Sequence, residues 1–88
     1  AAVLLHNVEA PRDGTWNGVP VQVHRHAVDP FISEPDVTAL RDAVTASGAP
    51  FDDVVVPGEG HLFTDLATPD GDAAACDASI AAFDAFIR

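Results

Sequence analysis

An aspartate and a histidine carry most of the chemistry this sequence can offer. Asp29 stands directly after the run Val19-Pro20-Val21-Gln22-Val23-His24-Arg25-His26-Ala27-Val28. His61 follows Val54-Val55-Val56, within the stretch Pro57-Gly58-Glu59-Gly60-His61-Leu62-Phe63-Thr64-Asp65. A neutral imidazole titrates near working pH and can take and return a proton; a carboxylate on its other nitrogen fixes the tautomer and stabilises the imidazolium. The pair could therefore serve as a general base and its orienting acid. The plainer alternatives are a turn aspartate bonded to local backbone and a histidine that only fills its loop. Phe63, two residues past His61, could line a pocket beside it.

The remaining reactive side chains offer less. His24 and His26 alternate onto one face of their run and could chelate zinc with His6 or an acid as third ligand, but the spacing defines no such ligand and no metal site is assigned. Ser33 precedes Glu34-Pro35-Asp36 and reads as a helix cap. Cys76 lies on an apolar stripe at helical spacing, which makes it a core thiol and not a nucleophile.

These residues need elements to position them. Ala1 to His6, "AAVLLH", is a short continuous apolar run and reads as a strand buried on both faces. Residues 7–18 hold Pro11, Asp13-Gly14 and Asn17-Gly18, so they read as a loop anchored by Trp16. Valines at 19, 21 and 23 give the period of two of a strand over 19–28, with Pro20 tolerated near its start. Val37, Leu40 and Val44 recur at helical spacing between the Ser33 cap and a stop at Gly48 and Pro50. "DDVVVPG" at 52–58 reads as another buried strand, ended by Pro57 and Gly58. After the His61 loop, Asp70 to Asp72 can cap a last helix whose Cys76, Ile80, Phe83 and Ile87 trace one apolar stripe.

The order is then strand, loop, strand, helix, strand, loop, helix, an α/β arrangement of about three parallel strands with two helices in an incomplete sheet. In such sheets reacting groups gather past the carboxyl ends of the strands, and neighbouring strands lie about 5 Å apart. Asp29 and His61 are predicted to meet there.

Composition bounds the function. With 88 residues the chain forms one domain at most, spanning 1–88, with a modest core. The net charge of −10 repels phosphate backbones and anionic bilayers, so neither nucleic acid nor membrane is expected as partner. One cysteine can form no internal disulfide, and the default compartment is a reducing, cytoplasmic one. The sequence contains no methionine and begins inside an apolar run, the pattern of a processed, designed or truncated start.

"GVPVQVHRHAVDPFI", "VVVPGEGHLFTD" and "DAAACDASIAAFDAFIR" together resemble the C-terminal half of the dienelactone hydrolase-like α/β hydrolases, and the resemblance covers nearly the whole chain. It implies ester or lactone hydrolysis by a nucleophile-aspartate-histidine triad, with no cofactor. Asp29 of "VDPF" matches the triad acid and His61 of "GHLF" the triad base. The family's nucleophile, a cysteine or serine in a G-x-[CS]-x-G elbow, has no match in this chain: Ser33, Ser47 and Ser79 lack those flanks. The chain alone is expected to be inactive until an upstream or complementing segment supplies the elbow and oxyanion donors. Family members hold an anionic substrate with arginines, one shortly after the triad histidine. Asp65 stands there instead, which favours a neutral ester or lactone. Gly71 occupies a place where the family has an aromatic, implying looser packing before the last helix.

Two further readings remain open from the residues alone. One is a non-catalytic α/β module that pairs with itself or a partner through an open sheet edge; the other is the histidine-based metal module.

Overall fold

The computed structural model describes residues 1–88, and its elements follow the expected order. Strand β1 is Ala2–Leu5, β2 is Val21–Val28, helix α1 is Glu34–Ala46, β3 is Phe51–Glu59 and helix α2 is Ala73–Ile87. The three strands form one parallel sheet in the order β1-β2-β3, open at both edges. This is the α/β arrangement read from the sequence. The long β1–β2 connection crosses without a helix, held by Trp16, whose indole Nε1 donates to the Val19 carbonyl at 2.7 Å.

The register decides what each face presents. Leu4 pairs with Val23 and Leu5 with His24; Asp53 pairs with Val23 and Val54 with His24. In a strand successive side chains alternate, so Val21 and Val23 share one face while Gln22, His24 and His26 share the other. Both faces of β2 are covered: every residue from Val21 to His26 is buried. On the first face Val21 and Val23 pack with Val37, Leu40 and Val44 of α1. On the second, Val56, Phe63 and Ala75 form a smaller cluster under α2.

Local chemistry explains the helix ends. Ser33 Oγ accepts from the Asp36 backbone N–H at 3.3 Å, and Pro35 lies in the first turn, where its missing donor costs nothing. Asp72 Oδ1 accepts from Ala75 N–H at 3.0 Å to open α2.

Four expectations need correction. β1 contains no fully buried residue and β3 only Val56, so neither outer strand is buried on both faces. β3 does not stop at Pro57 but continues to Glu59, because one extra residue is accommodated between the His26–Val56 and Val28–Glu59 pairs. A bulge on an edge strand is where proline is tolerated, since no ladder donor is needed there. The stripe of α2 is also displaced. Ala75 and Ser79 are the buried positions, while Ile80 and Ile87 are about half exposed. The small side chains meet the sheet directly, and of the large apolar ones Phe83 reaches it, edge-on to the His24 ring at 6.2 Å. Gly71, finally, does not loosen its surroundings: a Cβ there would lie 2.7 Å from the Asp65 carbonyl oxygen and the Leu66 Cα, so the close backbone approach admits only glycine.

Candidate functional site

The carboxyl ends of β2 and β3 bring Asp29 and His61 together. His61 Nδ1 lies 2.7 Å from Asp29 Oδ2. A carboxylate can only accept, so Nδ1 carries the proton and donates, which leaves the Nε2 lone pair as the free, basic position. The Asp29 side chain is 1% exposed and that of His61 23%, so the acid is shielded and the base reaches solvent. The other Asp29 oxygen, Oδ1, accepts from the Phe31 backbone N–H at 2.8 Å. The turn role and the orienting role are thus compatible, one oxygen serving each, and the turn fixes the direction in which the second oxygen points.

The backbone of the histidine loop is fixed separately. Asp70 Oδ2 accepts from the N–H groups of His61 at 2.9 Å and Leu62 at 3.3 Å, and these bonds hold its carboxyl below the usual carboxylate range. Gly60 precedes His61 at φ +116°, and a Cβ on it would fall 2.9 Å from the Asp70 side chain. The turn therefore requires glycine on both counts. In sequence Asp70 reads only as a helix cap; its position nine residues after His61 carries no periodic signal that reveals the loop contact.

Phe63 is not a pocket wall. It is fully buried, with its ring 4.6 Å from that of His6 and 4.8 Å from that of His26. It props the loop from beneath. The aromatic beside the base is Phe31, tilted over His61 at 4.9 Å and 76% exposed. Phe31 and His6 are walls of a cleft of about 430 Å³ that also includes Ile32, Glu9 and Asp36. A second cleft of about 540 Å³, on the Asp29 side, carries Asp29, Glu59 and Asp70.

No lysine or arginine is among the residues that line these clefts. Arg25 is paired with Asp53 at 2.8 Å and with Glu34 at 2.9 Å on the α1 face, which raises its guanidinium pKa further. Arg41 lies 3.6 Å from the same Asp53, and Arg88 pairs with Asp84 at the chain end. Asp65, where the resemblance would place an arginine, instead accepts from Ala67 N–H at 3.1 Å in an exposed turn.

His24 and His26 do share a face, but one nitrogen of each ring is bonded to a separate partner, and the other, Nδ1 of His24 and Nε2 of His26, is buried without a hydrogen bond. His24 Nε2 lies 2.7 Å from Gln22 Oε1, and Gln22 Nε2 donates to Asp52 at 2.8 Å. Because the amide nitrogen is committed as donor, the amide oxygen accepts and His24 bears its proton on Nε2. Burial holds the His24 pKa below its ordinary value, so the ring is neutral at pH 7. His26 Nδ1 donates to the Gly60 carbonyl at 3.1 Å, while its Nε2 lies 3.4 Å from Asp72 Oδ2. No three His, Cys, Asp or Glu side chains converge into a set able to hold a metal ion. Cys76 is a free thiol, partly buried within α2. No helix is long and apolar enough to cross a membrane. No protein-family model matches the chain, and no curated protein does.

Proposed function

We propose that this chain supplies the acid and base of an ester- or lactone-hydrolysing triad of the dienelactone hydrolase-like type, completed by a nucleophile from a segment outside these 88 residues. The observation that carries the reading is the 2.7 Å Nδ1–Oδ2 bond between a buried aspartate and a solvent-reaching histidine, each just past the carboxyl end of adjacent parallel strands. In the reaction, His61 Nε2 removes the proton from the attacking hydroxyl or thiol as it adds to the substrate carbonyl. The imidazolium, stabilised by Asp29, returns that proton to the leaving alcohol. A water then attacks the acyl intermediate with His61 again as base, which releases the acid and frees the nucleophile.

The charge around the site supports a neutral substrate. Glu9, Asp36, Glu59 and Asp70 line the two clefts without a cation among them, and an anionic acyl group would meet repulsion there. The test is to express the open reading frame that contains this chain and assay a neutral aryl ester. Hydrolysis should depend on an upstream G-x-[CS]-x-G residue and fall by about 10³-fold or more in His61→Ala. An open reading frame without such an elbow, or turnover indifferent to His61, contradicts the proposal.

A second reading rests on the open edges of the sheet: β1 pairs only with β2, and Leu5 at its end is 41% exposed. A non-catalytic module pairing through that edge would give a dimeric native mass and no esterase activity.

A further inference from the structure

His6 stands apart from the pair described above, yet it is built into the same loop. Its backbone N–H still donates to the His24 carbonyl at 3.1 Å, extending the β1–β2 ladder, but its φ of +63° lies in the left-handed region that L-residues seldom occupy. Such strain persists where surrounding contacts over-determine it. Here those contacts converge on the segment 61–64. His6 Nε2 lies 2.7 Å from Thr64 Oγ1, and its ring meets Phe63 edge-on at 4.6 Å and His61 edge-on at 5.8 Å. Phe63 is wedged between His6 on one side and His26 on the other, so the loop cannot shift toward β1 without displacing the His6 ring.

The chemistry of His6 suits a support and not a proton carrier. Burial, followed by the neighbouring His61, holds its pKa below the ordinary value, so it stays neutral beside a ring that becomes charged during the proposed reaction. Its Nδ1 is buried without a partner. A bare lone pair is cheaper to leave unpaired than an N–H donor, so the proton sits on Nε2 and is donated to Thr64 Oγ1.

We propose that His6 is a positioning residue for His61: through Thr64 and Phe63 it clamps the base-bearing loop to the end of β1 and keeps the His61 ring on Asp29. The proposal deepens the functional reading, since it assigns a support to that base, but its test needs no nucleophile. Long-range proton–nitrogen NMR of the imidazole rings in the 88-residue chain reports the tautomer of His61 directly. The native chain should show one tautomer, protonated at Nδ1. In His6→Ala and in Thr64→Val that signature should be lost to a mixture of both tautomers, while His6→Gln, which restores a donor toward Thr64, should recover it. Thr64→Val exchanges a hydroxyl for a methyl on a partly exposed loop, so it keeps the test available if His6→Ala fails to fold. A His61 ring that keeps the single Nδ1-protonated form in folded Thr64→Val overturns the proposal. Absence of hydrolysis by the full gene product would defeat the functional reading and leave this result standing.

Discussion

Helix α1 closes its face of the sheet with aliphatic side chains, whereas α2 closes the opposite face over histidines and an amide. On the α1 side Val21, Val23, Val37, Leu40 and Val44 are all fully buried, and the charges gather in one cluster in which Arg25 pairs with Asp53 and Glu34 and Arg41 approaches the same Asp53. On the α2 side Gln22, His24 and His26 occupy the equivalent inward positions of the same strand, and the apolar cluster shrinks to Val56, Phe63 and Ala75. The difference separates two duties of one central strand. The first face contributes stability through removal of apolar surface from water; the second trades part of that gain for polar groups that hold the histidine loop in place. His26 bonds Gly60 immediately before His61, and Phe63 rests on His26, so the loop is anchored in the polar face.

The contrast can be broken most strongly on the α1 side. Leu40→Ala deletes the central aliphatic contact of a fully buried position and should cost about 2–5 kcal/mol, read as a lowered denaturant midpoint at constant slope. In a chain of 88 residues with a shallow core, a loss at the upper end of that range would leave little folded protein.

Acid should act on the other face. His6 and His24 both have pKa values below the ordinary 6.5, with burial as the main cause. As pH falls the unfolded chain takes up these protons before the native one does. Stability is therefore complete above about 6.5 and declines as pH drops toward the folded-state values, where it levels off. Melting temperature measured between pH 7.5 and 5 should fall within this window; a flat profile would show that neither ring is held neutral by the fold. Asp70 and Asp72, whose pKa values lie below the ordinary 3.8, add a separate loss only under stronger acid, since their contribution is present above that value and disappears as pH falls through the native one.

The smallest expected effect sharpens the comparison. Ser79 is 1% exposed on α2, and its hydroxyl has no partner. Removing an unpaired buried hydroxyl relieves a desolvation penalty, so Ser79→Ala should be neutral or stabilising by up to about 1 kcal/mol. A clear loss of stability in the denaturant midpoint would mean that the polar face is better satisfied than its hydrogen bonds indicate.

What the sequence made legible follows the same division. The α1 face was readable because Val37, Leu40 and Val44 repeat at helical spacing behind a serine cap and meet valines at strand spacing. The Asp29–His61 meeting was readable because parallel strand ends converge, a rule of topology that needs no side-chain detail. The α2 face was not. Cys76, Ile80, Phe83 and Ile87 form the strongest apolar stripe of the helix, yet Ala75 and Ser79 are its buried positions and, of the stripe, Ile80 and Ile87 are about half exposed, because the face they meet carries histidines and an amide in place of an aliphatic surface. From sequence His6 reads only as a third ligand to zinc. Its contact with Thr64 spans 58 residues and depends on a left-handed backbone at a histidine, which no local pattern announces.

The central claim is that Asp29 makes His61 a competent base. It is tested most directly by the steady-state rate of the full gene product on a neutral aryl ester, comparing the native protein with Asp29→Asn. The amide keeps the size of the side chain and the Phe31 turn but no longer demands a proton on His61 Nδ1, so kcat should drop by about 10⁴-fold with KM little changed. A variant that retains kcat within a few-fold of native would contradict the account and leave the 2.7 Å contact as turn structure alone.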